Sequence, residues 1–278
     1  MEKALAAMHD PSSKYVVVVS HRGDWRNFPE NSLLAIESTI EKGVDMVEID
    51  LKLTSDSVLV LSHDHTCDRV TTGKGPISTM TYDSLRTFEL KNIQGEVLPG
   101  THIATLREAL EACKGKILVN VDQGYEYYDQ VLAITEELGV TDQILIKSGR
   151  AADIVTEKMA EFPHNMMYMP VVNPRSEDGR SILDQFLDAD VPPLACEMCF
   201  DKLDGDVRDC AKSILDSGSK LWVNTLWDSL CGGHDDEKAY AASDPGEVYG
   251  PILDLGTSII QTDRPAYLIQ YLESIGRR

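Results

Sequence analysis

Short apolar, β-branched runs alternate with helical patterns along the whole chain. The runs at 16–20, 46–51, 58–62, 117–122, 143–147, 166–171, 194–199, 221–225 and 258–262 are continuously hydrophobic instead of alternating. Such runs predict strands covered on both faces, hence parallel strands packed under helices. Helix-period patterns fall at 32–42, 106–113, 127–138, 151–161, 181–187, 207–217 and 265–275, and Gly43, Gly139 and Gly218 stand where helices should stop. A doubly wound sheet and a closed barrel both fit this alternation. Nine candidate strands with no Gly-x-Gly-x-x-Gly after the first favour the (β/α)8 TIM barrel, and 278 residues suit one such domain. The segment 66–103 breaks the rhythm with polar turns, TTGKGP and LPG, and reads as a small insertion after an early strand. The expectation is a single domain over 1–278, with residues 1–14 as a lead-in.

Composition narrows the function classes. Hydrophobic residues at 42% are ample for a core, which excludes a disordered chain. With 46 acidic and 26 basic residues the net charge is −20, which argues against broad contact with nucleic acid or an anionic bilayer. No run approaches the roughly 20 apolar residues of a membrane span or carries a signal h-region. The chain as written is therefore expected to be soluble and cytoplasmic, with an exported mature form left open. Oligomeric state leaves no trace in the sequence. Cys196 and Cys199 form a C-x-x-C, but in an apolar run without a second pair, so buried thiols are expected there over zinc or redox chemistry.

Charged and imidazole groups recur where barrel strands should end, the place where such folds gather their chemistry. SHRGD places His21 and Arg22 after the first run, LSHDH places His63 and Asp64 after the third, and VNVDQG places Asp122 after the fourth. Glu48 and Asp50 are two apart on one strand and share a face. Pointing inward, they repel unless a cation or proton intervenes. A hard divalent cation with Asp122 as third oxygen ligand resolves the repulsion; an inward salt-bridge cluster with Arg22 or Lys147 is the alternative. His21 and His63 form the natural acid–base pair near neutral pH. His65, His102, His164 and His234 lie in polar contexts and receive no role.

The runs HRGDWRNFPENSLLAI, GVDMVEIDLKLTSD and LVLSHDHTCDRVTTGKGPIS, followed by TLREAL, KILVNVD and GTSIIQTDRP, resemble the glycerophosphodiester phosphodiesterase family. The resemblance implies a (β/α) barrel with a small insertion after His63. It also implies metal-dependent hydrolysis of a small-molecule phosphodiester to an alcohol and glycerol 3-phosphate. By position, His21 and His63 match the catalytic histidines, Glu48 and Asp50 the metal ligands, and Arg22 the phosphate-contacting arginine. The cation would be Ca²⁺ or Mg²⁺. Two departures stand out. Where the family has N-I-E-I-K, this chain has N-V-D-Q-G, so Asp122 is a shorter ligand and Gly124 replaces a lysine. Lys147, ending the next strand, is expected to replace that cation, and Trp222, at a position where the family tends to have a tryptophan, to contact the alcohol. Two other readings stay open: a phospholipase C- or D-like lipid phosphodiesterase, and a barrel that binds a phosphorylated ligand without cleaving it.

Overall fold

The computed structural model describes residues 1–160, 166–188 and 192–278. Its strands in chain order are β1 (Val17–Ser20), β2 (Met46–Leu53), β3 (Leu59–Leu61), β4 (Leu90–Lys91), β5 (Val97–Leu98), β6 (Leu118–Asp122), β7 (Ile144–Ser148), β8 (Met167–Val172), β9 (Ala195–Met198), β10 (Lys220–Asn224) and β11 (Ile259–Thr262). All except β4 and β5 coincide with expected runs. His164 and the end of the helix expected at 151–161 lie outside the described residues; the described helix is Ala152–Ala160. Contacts gather into two compact units, Ser20–Ile146 and Met1–Val19 with Lys147–Arg278. Among the described residues no helix is long and apolar enough to cross a membrane.

In the unit Ser20–Ile146, β2, β6 and β7 are parallel neighbours, with Asp50 opposite Asp122 and Asn120 opposite Leu145. The helices around them start and stop on local chemistry. Leu33–Glu41 begins where the Ser32 hydroxyl accepts the Ala35 N–H at 3.1 Å. Leu106–Cys113 begins at a reciprocal Thr105–Glu108 capping box, and Tyr128–Leu138 ends at Gly139 in the left-handed region. One strand departs from the expectation of a parallel set. β3 runs antiparallel to β2, with Leu51 opposite Leu61. Continuous hydrophobicity reports burial on both faces and not direction, so the pattern could not show this. The insertion has its own small core, in which Cys67, Ile77, Leu85, Leu90 and Ile103 pack with Val60 of β3. The β4–β5 hairpin closes it.

In the other unit, β8, β9, β10 and β11 are parallel neighbours in that order. Residues 17–19 of β1 lie beyond β11, where the Val17 N–H donates to the Ser258 carbonyl at 2.9 Å. The lead-in forms a helix, Glu2–His9, that buries Ala4, Ala7 and Met8. The stretch 226–257, for which the pattern names no helix, holds three: Asp228–Cys231, Asp236–Ala241 and Gly246–Asp254. Two are too short to show a period, and Pro251 interrupts the third. Buried Asp236 anchors them, accepting hydrogen bonds from Thr225 Oγ1 (2.8 Å), Tyr249 OH (2.8 Å) and the Asp263 N–H (2.7 Å).

The turn after β1 is pinned to the helix Leu33–Glu41. Asp24 accepts from Ser38 Oγ at 2.6 Å and Asn27 Nδ2 at 3.0 Å, and pairs with Lys42. Gly23, at φ +74°, packs so closely on Ala35 that a Cβ would lie 2.9 Å from the Ala35 Cβ. Gly43 has a similar φ of +70°, but a Cβ there would meet nothing within 4 Å. Gly23→Ala therefore combines strain with overpacking and should lower stability by about 2 kcal/mol or more, against about 1 kcal/mol for Gly43→Ala. Urea unfolding of the two variants measures the difference; equal losses would show that the close approach carries no weight.

Candidate active site

The acidic cluster forms as the spacing suggested. Glu48 and Asp50 are each 1% exposed on β2, and Asp122 ends β6 directly opposite Asp50. Carboxylate oxygens of the three lie within 4.8 Å of one another. Hydrogen-bond donors are aimed at them. The Arg22 N–H donates to Glu48 Oε2 at 2.9 Å, and Asn31 Nδ2 donates to Asp50 Oδ2 at 2.8 Å. Asn31 also accepts the Asp50 N–H at 3.0 Å, so one side chain clamps both ends of that residue. Three converging carboxylates of this kind, two of them buried and all offering only oxygen donors, fit a hard divalent cation.

Arg22 and His63 join this cluster through a chain of ion pairs. Arg22 Nη1 lies 3.1 Å from Glu30 Oε1, and its Nε lies 3.5 Å from Asp50 Oδ2 without a hydrogen bond. Glu30 also receives both terminal nitrogens of Arg69, at 2.6 and 2.8 Å. Arg69 Nε reaches Asp64 Oδ2 at 2.8 Å, and Asp64 Oδ1 lies 2.9 Å from His63 Nδ1. The hydrogen bond from Arg69 holds the Asp64 carboxyl well below the usual carboxylate range, despite some burial. Burial works to raise Glu30, but the Arg69 hydrogen bond and the charges of Arg22 and Arg69 outweigh it. Asp64 is thus an anion that holds one face of the imidazole and leaves Nε2 on the other. The His63 side chain is 46% exposed, whereas His21, next to Arg22, is buried.

Sequence reasoning gave no role to Asn31, Glu30, Arg69 or Lys52. The first two sit in the PEN run and Arg69 in DRVTTG, but their partners are too distant in sequence to be read. Lys52 had a local signal, because it continues the two-residue spacing of Glu48 and Asp50. It is 6% exposed. Its Nζ donates to the Leu51 carbonyl at 3.1 Å and to Gln123 Oε1 at 2.5 Å. Burial pulls its ammonium below its ordinary value, against the charges of Asp50, Asp122 and Asp64.

Lys147 and Trp222 lie in the second unit. Lys147 is 7% exposed and pairs with buried Glu197 at 3.0 Å. The other Glu197 oxygen accepts Asn224 Nδ2 at 2.8 Å, and the fully buried Trp222 indole donates to Asn224 Oδ1 at 2.6 Å. Lys147 is therefore not a rim lysine but a member of a polar core network that includes Trp222. The cysteines are free, and burial pushes the Cys196 thiol up to about 12, as expected for a packed thiol.

The sequence model of the glycerophosphoryl diester phosphodiesterase family matches residues 21–163, more than half of the chain, and the chain belongs to that family. A second family model, described as a domain of unknown function, matches residues 168–272. A glycerophosphodiester phosphodiesterase of Caldanaerobacter subterraneus is 33% identical over 139 residues, 48% of this chain and 57% of that protein. Glycerophosphodiester phosphodiesterase 1 of Rattus norvegicus is 39% identical over 101 residues, 35% of this chain and 30% of that protein. The chain thus spans little more than half the length of the first relative and less of the second. Among solved structures, a glycerophosphoryl diester phosphodiesterase of Parabacteroides distasonis superposes with a TM-score of 0.77 at 23% identity, over 99% of this chain and 92% of that one. A phosphodiesterase of Oleispira antarctica, in complex with the product sn-glycerol-3-phosphate, gives 0.67 at 21% identity over 92% and 96%. These likenesses show the fold, the TIM barrel expected from the alternating runs.

The Lys147–Glu197 pair has a direct consequence for stability. Lys147→Met leaves a buried carboxylate without its cation and should destabilise the protein by about 3–5 kcal/mol. Adding Glu197→Gln removes the stranded charge and should restore most of the loss. Denaturant midpoints of the single and double variants measure this, and a double variant no more stable than the single would refute the pairing energy.

Proposed function

We propose that this chain is a metal-dependent glycerophosphodiester phosphodiesterase, cleaving a small-molecule diester to an alcohol and glycerol 3-phosphate. One arrangement carries the reading: three converging carboxylates, two of them buried, with Arg22 against two of them and His63 tied to Arg22 through Asp64, Arg69 and Glu30. Family membership and the product bound to the Oleispira antarctica protein support the substrate class. Ca²⁺ or Mg²⁺ held by Glu48, Asp50 and Asp122 would supply Lewis-acid stabilisation of charge on a phosphate oxygen. The chain's own groups do the rest. Arg22, held against Glu30 and Asp50, would bring its guanidinium to the phosphate. Of His21 and His63, one takes the proton of the attacking hydroxyl and the other protonates the leaving alkoxide. The Asp64 contact places the Nδ1 proton of His63 and frees Nε2 to exchange one. Water or the substrate's own glycerol hydroxyl serves as nucleophile, the second route passing through a cyclic phosphate.

The test is release of sn-glycerol 3-phosphate from glycerophosphocholine by the purified chain. Turnover is expected to require added divalent cation and to stop in excess chelator. His21→Ala and His63→Ala should each lower kcat by roughly 10² or more with the fold intact. Glu48→Gln and Asp50→Asn should weaken cation affinity, measured by calorimetry, more than Asp122→Asn does. Binding of the diester without cleavage would turn the reading into one of a binding protein, and full activity in a metal-stripped sample would remove the cation from it.

A further inference from the structure

We infer that Lys52 is the second cation of the phosphate site, positioned by Gln123 to donate to the substrate's phosphate. The inference rests on the phosphodiesterase reading and names a residue that carries part of its substrate binding.

The first observation is the state of the ammonium itself. Lys52 follows Glu48 and Asp50 at the same two-residue spacing on β2, so the three share a face. Its Nζ is held by two neutral oxygens, the Leu51 carbonyl and the Gln123 amide, and no carboxylate among the described residues forms an ion pair with it. A buried ammonium has three donors, and a buried charge without an opposite partner is costly. The third N–H is therefore available to an anionic ligand.

The second observation is why the cation sits here. The strand end after Asp122 cannot carry it. At Gly124 a Cβ would lie 2.9 Å from Ile146 Cγ2 and 2.9 Å from the Val121 carbonyl oxygen, so no side chain fits without displacing β6 or β7. Gln123 takes the left-handed region, at φ +62°, and its amide reaches Lys52. Lys147, expected to supply this charge, is already matched by Glu197.

The third observation is charge. Arg22 and Arg69 are matched by Glu30 and Asp64. Three carboxylates with a divalent cation keep one net negative charge, and the arriving phosphodiester brings another. Lys52, within the field of Asp50, Asp122 and Asp64, is the cation placed to meet it.

The experiment compares wild type, Lys52→Met and Lys52→Arg in the full chain with saturating divalent cation. Calorimetry measures the Kd of sn-glycerol 3-phosphate and, separately, the affinity for the cation; kinetics give KM and kcat on glycerophosphocholine. Lys52→Met should weaken glycerol 3-phosphate binding by roughly tenfold or more and raise KM, while cation affinity holds or tightens because a competing charge has gone. Lys52→Arg should recover part of the affinity. If Lys52→Met does not fold, Lys52→Gln, which keeps a donor at this position, carries the same comparison. Unchanged glycerol 3-phosphate affinity in a folded variant overturns the inference, as does weakened cation affinity with unchanged KM, which would make Lys52 purely structural. A wild-type protein that neither cleaves the diester nor binds glycerol 3-phosphate overturns the functional reading itself.

Discussion

Two carboxylates buried on the same face of one strand, with a third across the ladder, set the conditions for everything around them. Glu48, Asp50 and Asp122 cannot hold their charges in that setting without donors aimed at them, since removing each ion from water costs several kcal/mol. The donors come from backbone and amide groups in unusual conformations. Arg22 at φ +53° presents its N–H to Glu48, and Asn31 at φ +54° turns its amide onto Asp50. Gln123 at φ +62° follows Asp122. Such residues cost of order 1–3 kcal/mol each and persist only where the surroundings over-determine them. Here the surroundings are the Gly23–Ala35 contact and the Asp24 anchor, which hold the whole turn after β1 against one helix.

The sequence carried the acidic pair plainly, because a period of two on a strand is a strictly local signal and inward carboxylates have few explanations. His21, Arg22 and His63 read as strand-end residues and through the family motifs, and Asp122 as a strand-end residue where the chain departs from its motif. The links between them were not. Glu30 and Arg69 meet across 39 residues, and Lys147 meets Glu197 across 50. No spacing rule reports such contacts, so Lys147 read as a rim lysine when it is a buried one. The direction of β3 was hidden for a different reason: its burial is the same whether it runs parallel or antiparallel. Lys52 was visible in principle, two residues beyond Asp50, but a lysine at a strand end reads first as a solvated charge.

The polar groups of the second unit follow another logic. Lys147, Glu197, Asn224 and Trp222 are linked by hydrogen bonds within the core. A buried network of this kind is sound only when each member has its partner, and then it favours one packing over its competitors. Around the acidic cluster the contacts are of another kind, with Arg22 Nε 3.5 Å from Asp50 but without a hydrogen bond, and an ammonium on neutral oxygens. The contrast is between polar residues that finish a core and polar residues gathered around three convergent carboxylates.

Arg69 gives the insertion a standing that its surface position conceals. It belongs to the segment 66–103, yet its guanidinium is shared by Glu30, which holds Arg22, and Asp64, which holds His63. The segment is therefore not an interchangeable cassette. A homologous loop grafted in its place would have to bring a guanidinium to the same point, or both the arginine and the imidazole would lose their common tether. New specificities built on the loop would have to keep Arg69 in place.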